Sequence, residues 1–380
     1  MPDKNYLLFL ATMILGLGSG MKSVAQDLED RDQSPAHTYT IGANAFTGFI
    51  YKHDDRIGHL IQAHPVGFEL FINQNTYGKK QWQKLYNYPD IGLSVAYFDF
   101  RVKELGKIIA TTAYLDFYLK RGRKSEVLLK IGTGLGFSTN PYDRETNNKN
   151  NVIGSTVSFT MQGRLGYNFK LNDRLKLTSA LTLSHFSNGA FKLPNKGINI
   201  VSGNLGFSYL LTKNPSPDFR KRSINDDNTE KSEKKLHYTF SIFSGVREII
   251  PVGGKKYPFI NTVFYADKKL NQKSALLIGS DFFHSWAVKQ EIKTARELPE
   301  GDTPDFKRVG LTIGHELFVS KISLLTQLGV YVYKPFKSGQ PVYQRYGLKY
   351  YFNERFFSGL FLKAHYGVAE NVEWGFGIRI

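Results

Sequence analysis

Residues 175–200 read LKLTSALTLSHFSNGAFKLPNKGINI, and the first half of this stretch alternates with a period of two. One face carries four leucines and then His185 and Ser187, whereas the other face carries mainly Lys, Thr, Ala and Ser. A period of two is typical of a β-strand whose two faces meet different surroundings. The stretch therefore predicts a strand with its apolar face towards lipid and its polar face towards the lumen of a transmembrane β-barrel.

The same alternation recurs along the chain and predicts sixteen strands, with no amphipathic helix of useful length. Odd-numbered links tend to be long and even-numbered links short, which is typical of an outer-membrane barrel with both chain ends in the periplasm. The link over 75–89 is the exception, because it is long but even-numbered. The predicted strands lie near residues 38–52, 65–74, 89–101, 107–120, 125–139, 156–170, 175–190, 198–211, 236–248, 257–266, 273–287, 306–320, 323–334, 341–352, 356–366 and 372–380.

The composition agrees with a β-barrel and excludes several other classes. The 380 residues include 29 Phe, 22 Tyr, 3 Trp and 35 Gly, and the net charge is +17. No segment beyond the N-terminus offers the ~20 consecutive apolar residues of a membrane helix, and a hydrophobic content of 41% argues against disorder. The absence of cysteine excludes disulfide scaffolds, thiolate zinc sites and cysteine nucleophiles. A large soluble β protein or a transmembrane β-barrel remains.

Two segments divide the chain. At the N-terminus, Lys4 precedes an apolar run over 6–17, and a Ser-Val-Ala sequence ending at Ala25 supplies the pattern that signal peptidase cleaves. In the middle, the stretch 212–235 has twelve charged residues and is predicted to be a solvated linker. The predicted organisation is a signal peptide over 1–25, a first barrel half over 26–211, a charged periplasmic linker over 212–235 and a second barrel half over 236–380.

The predicted fold class is all-β, a transmembrane antiparallel β-barrel. A single barrel of about 14–16 strands is the preferred architecture. It is preferred because one C-terminal strand, Glu373–Ile380, resembles the assembly signal of outer-membrane barrels, although such signals commonly end in Phe or Trp rather than Ile. The alternative is an eight-stranded barrel followed by a second eight-stranded unit.

Ser187 and His185 are the candidate catalytic pair. Polar groups on a lipid-facing surface cost free energy unless they are partnered or functional. Same-face neighbours on a strand have Cβ atoms ~7 Å apart, a gap that an imidazole largely spans, so His185 can serve as base for Ser187. Gly189 permits backbone geometries that point N–H groups at an oxyanion, and Asn195 and Asn199 lie across a turn that can bring either back to His185. The other interpretation is an interfacial polar pair beside a Ser-Asn-Gly turn.

The extended pattern around this pair resembles an enzyme family. The order His-Phe-Ser-Asn-Gly over 185–189, followed by Pro-Asn-Lys-Gly-Ile-Asn over 194–199, is similar to the lipid A 3-O-deacylase (acyloxyacyl hydrolase) family of outer-membrane barrels. The resemblance covers roughly residues 36–211 and is sharpest over 184–200. It implies an eight-stranded barrel with the site on its outer wall. Because it is complete within the first half, it favours the two-unit alternative.

The resemblance also implies an activity and a role for each site residue. Ser187 would be the nucleophile and His185 the general base, while the backbone around Asn188 and Gly189, together with Asn195, would form the oxyanion hole. The implied enzyme is a carboxylic ester hydrolase. It would remove an ester-linked acyl chain from lipid A or a related lipid through an acyl-enzyme.

Asn199 departs from the family pattern, which has a Glu at this place, twelve residues after the serine. An Asn can orient a histidine, but it cannot stabilise an imidazolium as a carboxylate does. The departure implies lower activity or the use of another acid, and Glu316 and Glu373 are carboxylates on predicted strands that could supply it. An Asn as third member is similar instead to outer-membrane phospholipase A, although the calcium-linked Ser-Arg segment of that family is absent here. A non-catalytic porin-like or structural barrel is the further alternative.

No metal or cofactor is predicted, since the nine histidines show no metal-ligand clustering. The Gly-rich stretch 132–136 lies inside a strand pattern and not at a strand-to-helix turn, so it does not indicate a phosphate loop. The predicted partner is lipopolysaccharide or phospholipid of the outer leaflet of the bacterial outer membrane, because an exported basic chain rarely meets nucleic acid. Lys192 and Lys196 flank the site turn and are candidates for contact with lipid phosphates, with plain solvation an equally good interpretation.

Overall fold

The computed structural model describes residues 38–211, 235–295, 298, 303–337 and 339–380. The signal peptide predicted over 1–25 lies outside the described residues, and so does the predicted linker apart from Lys235. Both assignments stay predictions.

Eight strands of the first half close into an antiparallel barrel in which each strand pairs with its neighbours in the sequence. The closing pair is β1 and β8, which run in register from Thr40 opposite Leu210 to Ile50 opposite Ile200. The shortest of these strands has 10 residues, which is enough for the roughly 9–11 residues that cross a membrane. The strands are β1 Thr38–Ile50, β2 Val66–Asn75, β3 Asp90–Asp99, β4 Lys107–Arg121, β5 Ser125–Ser138, β6 Val157–Lys170, β7 Leu175–Ser187 and β8 Ile198–Leu210.

The eight strands of the second half form another closed antiparallel barrel. Here the closing pair is β9 and β16, with Trp374 opposite Ser244 and Arg379 opposite Thr239. The strands are β9 Leu236–Glu248, β10 Lys256–Asn271, β11 Ser274–Ser285, β12 Arg308–Val319, β13 Ile322–Tyr333, β14 Val342–Tyr351, β15 Phe356–His365 and β16 Val368–Arg379.

These two closures decide the number of barrels. A single barrel would need β8 to pair with β9 and β16 to pair with β1, but β8 is paired with β1 and β16 with β9. Each set of eight strands thus has no free edge left to extend the sheet. The all-β transmembrane barrel class is confirmed, and the alternative of two eight-stranded units is the correct architecture. The preferred single barrel is wrong.

The strand positions lie close to the predicted ones. The largest differences are that β10 continues to Asn271 instead of ending near 266, and that β16 begins at Val368 instead of 372. Short helical segments occupy three links: a 3-10 turn over Asp55–Leu60, α1 over Gln81–Leu85 and α2 over Trp286–Thr294. None of the helices in the described ranges is long and apolar enough to cross a membrane.

Alternate side chains of each strand point outward and inward. The outward side chains of both barrels are mainly apolar and exposed, as expected for walls that meet lipid. Examples are Leu93, Leu165, Leu181, Ile278 and Ile313. The alternation that predicts the strands therefore corresponds to the two surfaces of closed barrels.

Buried ion pairs occupy both lumens. In the first barrel, Glu69 lies 2.5 Å from Arg164 Nη2 and 4.0 Å from Lys130 Nζ. In the second barrel, Lys349 Nζ lies 2.8 Å from Glu316. An eight-stranded barrel is just wide enough for side chains to fill it. These lumens are therefore packed with paired charges, which does not favour the porin-like alternative.

The two ends of the first barrel differ in the length of their links. One end has the links 51–65, 100–106, 139–156 and 188–197, and the other end has 76–89, 122–124 and 171–174. The link 76–89, which contains α1, is the long even-numbered exception. In outer-membrane barrels the end with long links is extracellular. β7 finishes at this end, with Ser187 as its last residue.

An apolar cluster fills the lumen of the first barrel under the long links. The rings of Phe98 and Phe186 meet edge to face in it, with centroids 5.2 Å apart. Phe186 belongs to β7, so the cluster fixes the end of this strand from inside the barrel. Other members are Phe46, Ile50, Ile57, Leu60, Phe100, Leu105, Ile108, Val152, Ile153, Ile198 and Ile200.

Candidate active site

His185 and Ser187 lie on the outer face of β7, two residues apart, at its long-link end. Phe186 between them points into the lumen and is fully buried. Below them on the outer face, Leu181 and Leu183 are 64% and 51% exposed, so this face meets lipid. The strand has the parity that its alternation predicts. The structure brings all the predicted site residues into one strand–turn–strand segment: His185, Ser187, Asn188, Gly189, Asn195 and Asn199.

Ser187 Oγ accepts two hydrogen bonds. The backbone N–H of Gly189 donates to it at 3.1 Å, and Asn195 Nδ2 donates at 2.8 Å. Gly189 has a φ of +65°, a conformation that costs glycine nothing and turns its N–H back towards the serine. Both donors belong to the predicted oxyanion group. Within the described part of the chain, no hydrogen bond joins Ser187 to His185.

Asn188 lies in the site, but its backbone N–H is already engaged. It donates to Asn195 Oδ1 at 3.0 Å, which leaves Nδ2 of Asn195 to face Ser187. The buried side chain of Asn188 donates to Ser155 Oγ at 3.0 Å and to the carbonyl of Lys192 at 2.8 Å. Asn188 therefore orients Asn195 and stabilises the turn through its hydrogen bonds. Its backbone N–H is not free to donate to an oxyanion.

Asn199 orients the imidazole of His185. The two residues lie opposite each other in the pairing of β7 with β8, and Asn199 Oδ1 is 2.7 Å from His185 Nδ1. An amide oxygen can only accept, so this contact places the ring proton on Nδ1 and leaves a lone pair on Nε2. That is the tautomer that a general base requires.

His53, in the first long link, extends this chain of hydrogen bonds. Its Nε2 lies 3.0 Å from the carbonyl of Lys196, and its Nδ1 lies 3.2 Å from Asn199 Nδ2. Since the carbonyl only accepts, Nε2 carries the proton and Nδ1 accepts from the Asn199 amide. Nδ1 is also 3.3 Å from Tyr51 O, but a ring that accepts at Nδ1 has no proton there to donate. With Nδ1 as the acceptor, His53 keeps Asn199 Oδ1 directed at His185. No sequence pattern marked His53, which is 146 positions from Asn199.

Gly197 provides the space for the imidazole. It has a φ of +70°, and a Cβ at this position would lie 2.9 Å from His185 Cε1. Any side chain here would push the ring away from Asn199 as well as strain the backbone. Glycine is therefore required both by the conformation of the turn and by the close approach of the ring.

The two carboxylates considered as substitutes for the missing acid lie elsewhere. Glu316 is buried in the lumen of the second barrel beside Lys349, and Glu373 is buried in the same lumen, 3.1 Å from Arg345 Nη2. Neither side chain is on the outer wall of the first barrel. The amide of Asn199 is the group that orients His185.

Lys196 and Lys192 lie in the turn that follows β7. Lys196 Nζ is 3.2 Å from Asp54 Oδ2. Hydrogen bonds from Arg56 hold the pKa of the Asp54 carboxyl well below its usual range, so Asp54 stays charged as the partner of Lys196. Contact of either lysine with lipid phosphates stays a prediction.

The outer wall below the serine and the histidine has two open glycine positions and, around the lower one, a shallow groove. Gly163 on β6 lies opposite Leu183, and Gly203 on β8 lies opposite Leu181. At both glycines, nothing lies within 4 Å of the position that a Cβ would take. The depression around Gly203 has a volume of about 760 Å³ and is bordered mostly by apolar residues, including Leu165.

The arrangement is suited to nucleophilic acyl transfer. It contains a hydroxyl with two N–H donors directed at it, and an imidazole whose proton is fixed on the far nitrogen. Groups of these types can serve as nucleophile, oxyanion donors and base in that chemistry. Across the ranges that the structure describes, no three His, Asp or Glu side chains gather as metal ligands.

Two family models match the chain, one in each barrel. Residues 66–208 match the family described as lipid A 3-O-deacylase (PagL), and residues 236–380 match the C-terminal domain of acyloxyacyl hydrolase. The first match includes His185, Ser187 and Asn199. The predicted resemblance to the lipid A 3-O-deacylase family is confirmed. The predicted location in the bacterial outer membrane is also confirmed by this match, and the apolar outer walls of both barrels agree with it.

Several solved structures are similar to part or most of the chain. The outer membrane enzyme PagL is 16% identical, with 43% of this chain and 97% of that chain covered and a TM-score of 0.32. Neisserial surface protein A is 11% identical, with coverages of 45% and 95% and a TM-score of 0.29. A mutant porin of Rh. blastica is 10% identical, with coverages of 91% and 100% and a TM-score of 0.20. No curated protein matches the chain.

Proposed function

We propose, since both halves of the chain match the lipid A 3-O-deacylase and acyloxyacyl hydrolase family, that this protein is a serine esterase of the outer membrane. It removes an ester-linked acyl chain from lipid A or a related lipid. The observation that carries the proposal is Ser187 Oγ, which lies on the lipid-facing wall and accepts N–H groups from Gly189 and Asn195. A hydroxyl that has two convergent N–H donors and lies beside a histidine is the arrangement that acyl transfer requires.

In the proposed reaction, His185 Nε2 takes the proton of Ser187 as Oγ forms a bond to the ester carbonyl carbon. The carbonyl oxygen becomes an oxyanion, which accepts from the N–H of Gly189 and from Asn195 Nδ2. The bond to the alcohol oxygen of the lipid then breaks, and His185 returns the proton to that oxygen. Water attacks the acyl-enzyme by the same route, which releases the fatty acid and restores the Ser187 hydroxyl.

The groove on the outer wall supports an acyl chain as the group transferred. Gly203 lies opposite Leu181, six residues below Ser187, or about 20 Å at ~3.4 Å per residue along the strand. Strands of membrane barrels are tilted by about 45°, so this distance corresponds to about 14 Å of depth, which is within the roughly 15 Å of hydrocarbon in one leaflet. An acyl chain with its ester at Ser187 therefore reaches the groove without leaving its leaflet.

Purified protein should release fatty acid from lipid A in detergent micelles, and mass spectrometry should show lipid A lacking one acyl chain. Only ester-linked chains should be lost, because the leaving alkoxide of an ester is far easier to expel than the amine of an amide. Lipid A from which mild alkali has already removed the ester-linked chains is the matched control and should not change. Unaltered lipid A masses, with protein whose heat-dependent gel migration shows a folded barrel, would contradict the proposal.

A phospholipid is the second candidate substrate, and one observation favours it. The oxygen that orients His185 belongs to Asn199, an amide, which is the third member expected of outer-membrane phospholipase A. Phosphatidylethanolamine vesicles, with and without a calcium chelator, separate the two candidates in the same assay. Fatty acid released from the vesicles and lost on chelation would favour the phospholipase. Release from lipid A alone would favour the deacylase.

Replacing Asn199 with Asp should raise kcat for lipid A by about tenfold or more, with KM little changed, because a carboxylate stabilises the imidazolium and an amide does not. His53 can adapt, since its Nδ1 needs only a proton to donate to the new carboxylate. The matched variant Asn199→Leu keeps the volume but removes the acceptor, and it should lower kcat by about tenfold or more. Initial rates by mass spectrometry measure both. Wild-type rates in both variants would show that Asn199 does not orient His185.

A further inference from the structure

The turn that carries the oxyanion donors contacts the second barrel through Glu248, the last residue of β9. Glu248 Oε2 accepts the N–H of Leu193 at 3.2 Å, and the N–H of Glu248 donates to the carbonyl of Ala190 at 3.4 Å. Two hydrogen bonds of opposite direction therefore join this residue to the turn. Glu248 is only 5% exposed, so its carboxylate lies inside the contact.

The other carboxylate oxygen of Glu248 is bound within its own barrel, where Oε1 accepts the N–H of Gly253. A buried carboxylate is costly unless its oxygens accept hydrogen bonds, and bonds from backbone N–H groups to a charged acceptor are among the stronger ones. Gly253 thus anchors the side chain to the second barrel, while Leu193 takes the remaining oxygen. The side chain connects the β9–β10 link to the turn of the first barrel.

Two further contacts show that Gly189, whose N–H donates to Ser187 Oγ, lies between the two barrels. A Cβ at Gly189 would lie 2.2 Å from Val372 Cγ2 and 3.6 Å from Leu362 Cδ1, both on the outer wall of the second barrel. Lys256 Nζ lies 3.6 Å from the centre of the Phe191 ring, a cation–π distance. Gly189 therefore has Ser187 on one side and the wall of the second barrel on the other.

The barrels also meet at their short-link ends. Tyr86 Oη, in the link that contains α1, donates to the carbonyl of Phe318 at 2.7 Å. Gln81 Nε2 donates to Gln272 Oε1 at 3.4 Å. Contacts at both ends hold the two barrels side by side, with their long links on the same side. The wall at Val372 is therefore kept against the site.

We propose that the second barrel is part of the esterase site, and that Glu248 is a positioning residue which keeps the N–H of Gly189 directed at Ser187. This inference rests on the proposed function and deepens it. Val372 packs against Gly189 and limits how far the donor turn can move away from Ser187. The second half of the chain then contributes to the reaction without supplying a group that touches the reacting atoms.

Glu248→Ala should lower kcat for lipid A by about 10- to 100-fold with KM little changed, because removal of one oxyanion donor costs about 10²- to 10³-fold and displacement costs less. Glu248→Gln keeps one acceptor oxygen but turns its amide nitrogen towards the other backbone N–H, so its activity should lie between that of Glu248→Ala and that of the wild type. The control is Asp305→Ala. Like Glu248, Asp305 accepts a backbone N–H at the long-link end of the second barrel, from Lys307 at 3.1 Å. The activity of the Asp305→Ala variant should equal that of the wild type.

A second variant tests the same proposal if Glu248→Ala does not fold. Val372→Phe enlarges an apolar side chain on the outer wall and leaves the lumen of the second barrel unchanged, but it presses on Gly189 and should lower kcat about tenfold or more. Val368→Phe is the matched control on the same strand, where the side chain is 61% exposed. It should leave kcat unchanged.

A fluorophosphonate probe that labels Ser187 separates the failure of this inference from the failure of the proposed function. The labelling rate should fall in Glu248→Ala and Val372→Phe as kcat does. Wild-type kcat and labelling in both folded variants would overturn the role of the second barrel and leave the esterase intact. A wild-type protein that neither deacylates lipid nor accepts the probe would overturn both.

Discussion

Replacing Ser187 with Ala should lower the rate of lipid A deacylation by about 10³-fold or more, because no acyl-enzyme forms without Oγ. The change removes one oxygen from the outer wall and leaves Phe186 packed in the lumen, so the barrel should fold as before. The N–H of Gly189 and Asn195 Nδ2 lose their acceptor but stay available to the ester carbonyl. The variant should therefore bind lipid with an unchanged KM and should not react with a fluorophosphonate.

Ser274→Ala is the matched control for this prediction. Ser274 also lies on a lipid-facing wall, in the second barrel, and its Oγ is 2.5 Å from His315 Nε2. Among the described residues, however, no N–H donors converge on Ser274 Oγ as they do on Ser187. Activity should be unaffected in Ser274→Ala. If Ser187→Ala remains active and Ser274→Ala is inactive, the reaction belongs to the second barrel and the assignment of the site is wrong.

Replacing His185 with Gln should also lower kcat by about 10³-fold or more, because Gln cannot take the proton of Ser187. The double variant with Ser187→Ala should be no slower than either single variant, since the two groups act as one unit. Additive losses would contradict a shared step. His315→Gln is the control, and its rate should equal the wild type. Measured rates of all four variants at saturating lipid test the pairing of His185 with Ser187 directly.

Most of the fold could be predicted because each strand has one face in lipid and the other in a filled lumen. In β7 this alternation alone puts Leu181, His185 and Ser187 on the outer face. The predicted ends of the strands are less accurate where strand pairing continues past the apolar span. In β10 the pairing with β11 includes Lys268 and Lys269, which a rule based on apolar alternation leaves out.

The number of barrels could not be predicted from the same pattern. Alternation records which face a residue occupies, but it does not record which strand lies beside it. A strand such as β8 alternates equally well next to β1 or next to β9. Only the register of backbone hydrogen bonds, from Thr40 opposite Leu210 onward, closes the first barrel on itself.

Part of the candidate site could be predicted from the sequence, and part could not. The residues from His185 to Asn199 could be predicted because the proposed nucleophile, base and donors all lie within one strand, one turn and the start of the next strand. His53 comes from a distant link and Glu248 from the end of β9, and each meets the site only through hydrogen bonds to the turn or to Asn199. No spacing in the sequence marks a contact of this kind, since it depends on how separate links fold over the end of the barrel.

Under the proposed function, the position of Ser187 on the outer wall also decides how the substrate arrives. The wall continues downward through Leu183 and Leu181, which are exposed to the hydrocarbon, so an ester reaches the serine by sliding sideways within its own leaflet. The concentration that governs the rate is then the mole fraction of substrate in that leaflet, and its amount in the surrounding solution has no direct effect. Inert lipid dilutes the enzyme's substrate in two dimensions. Turnover by this chain therefore reports the make-up of the membrane in which it is embedded.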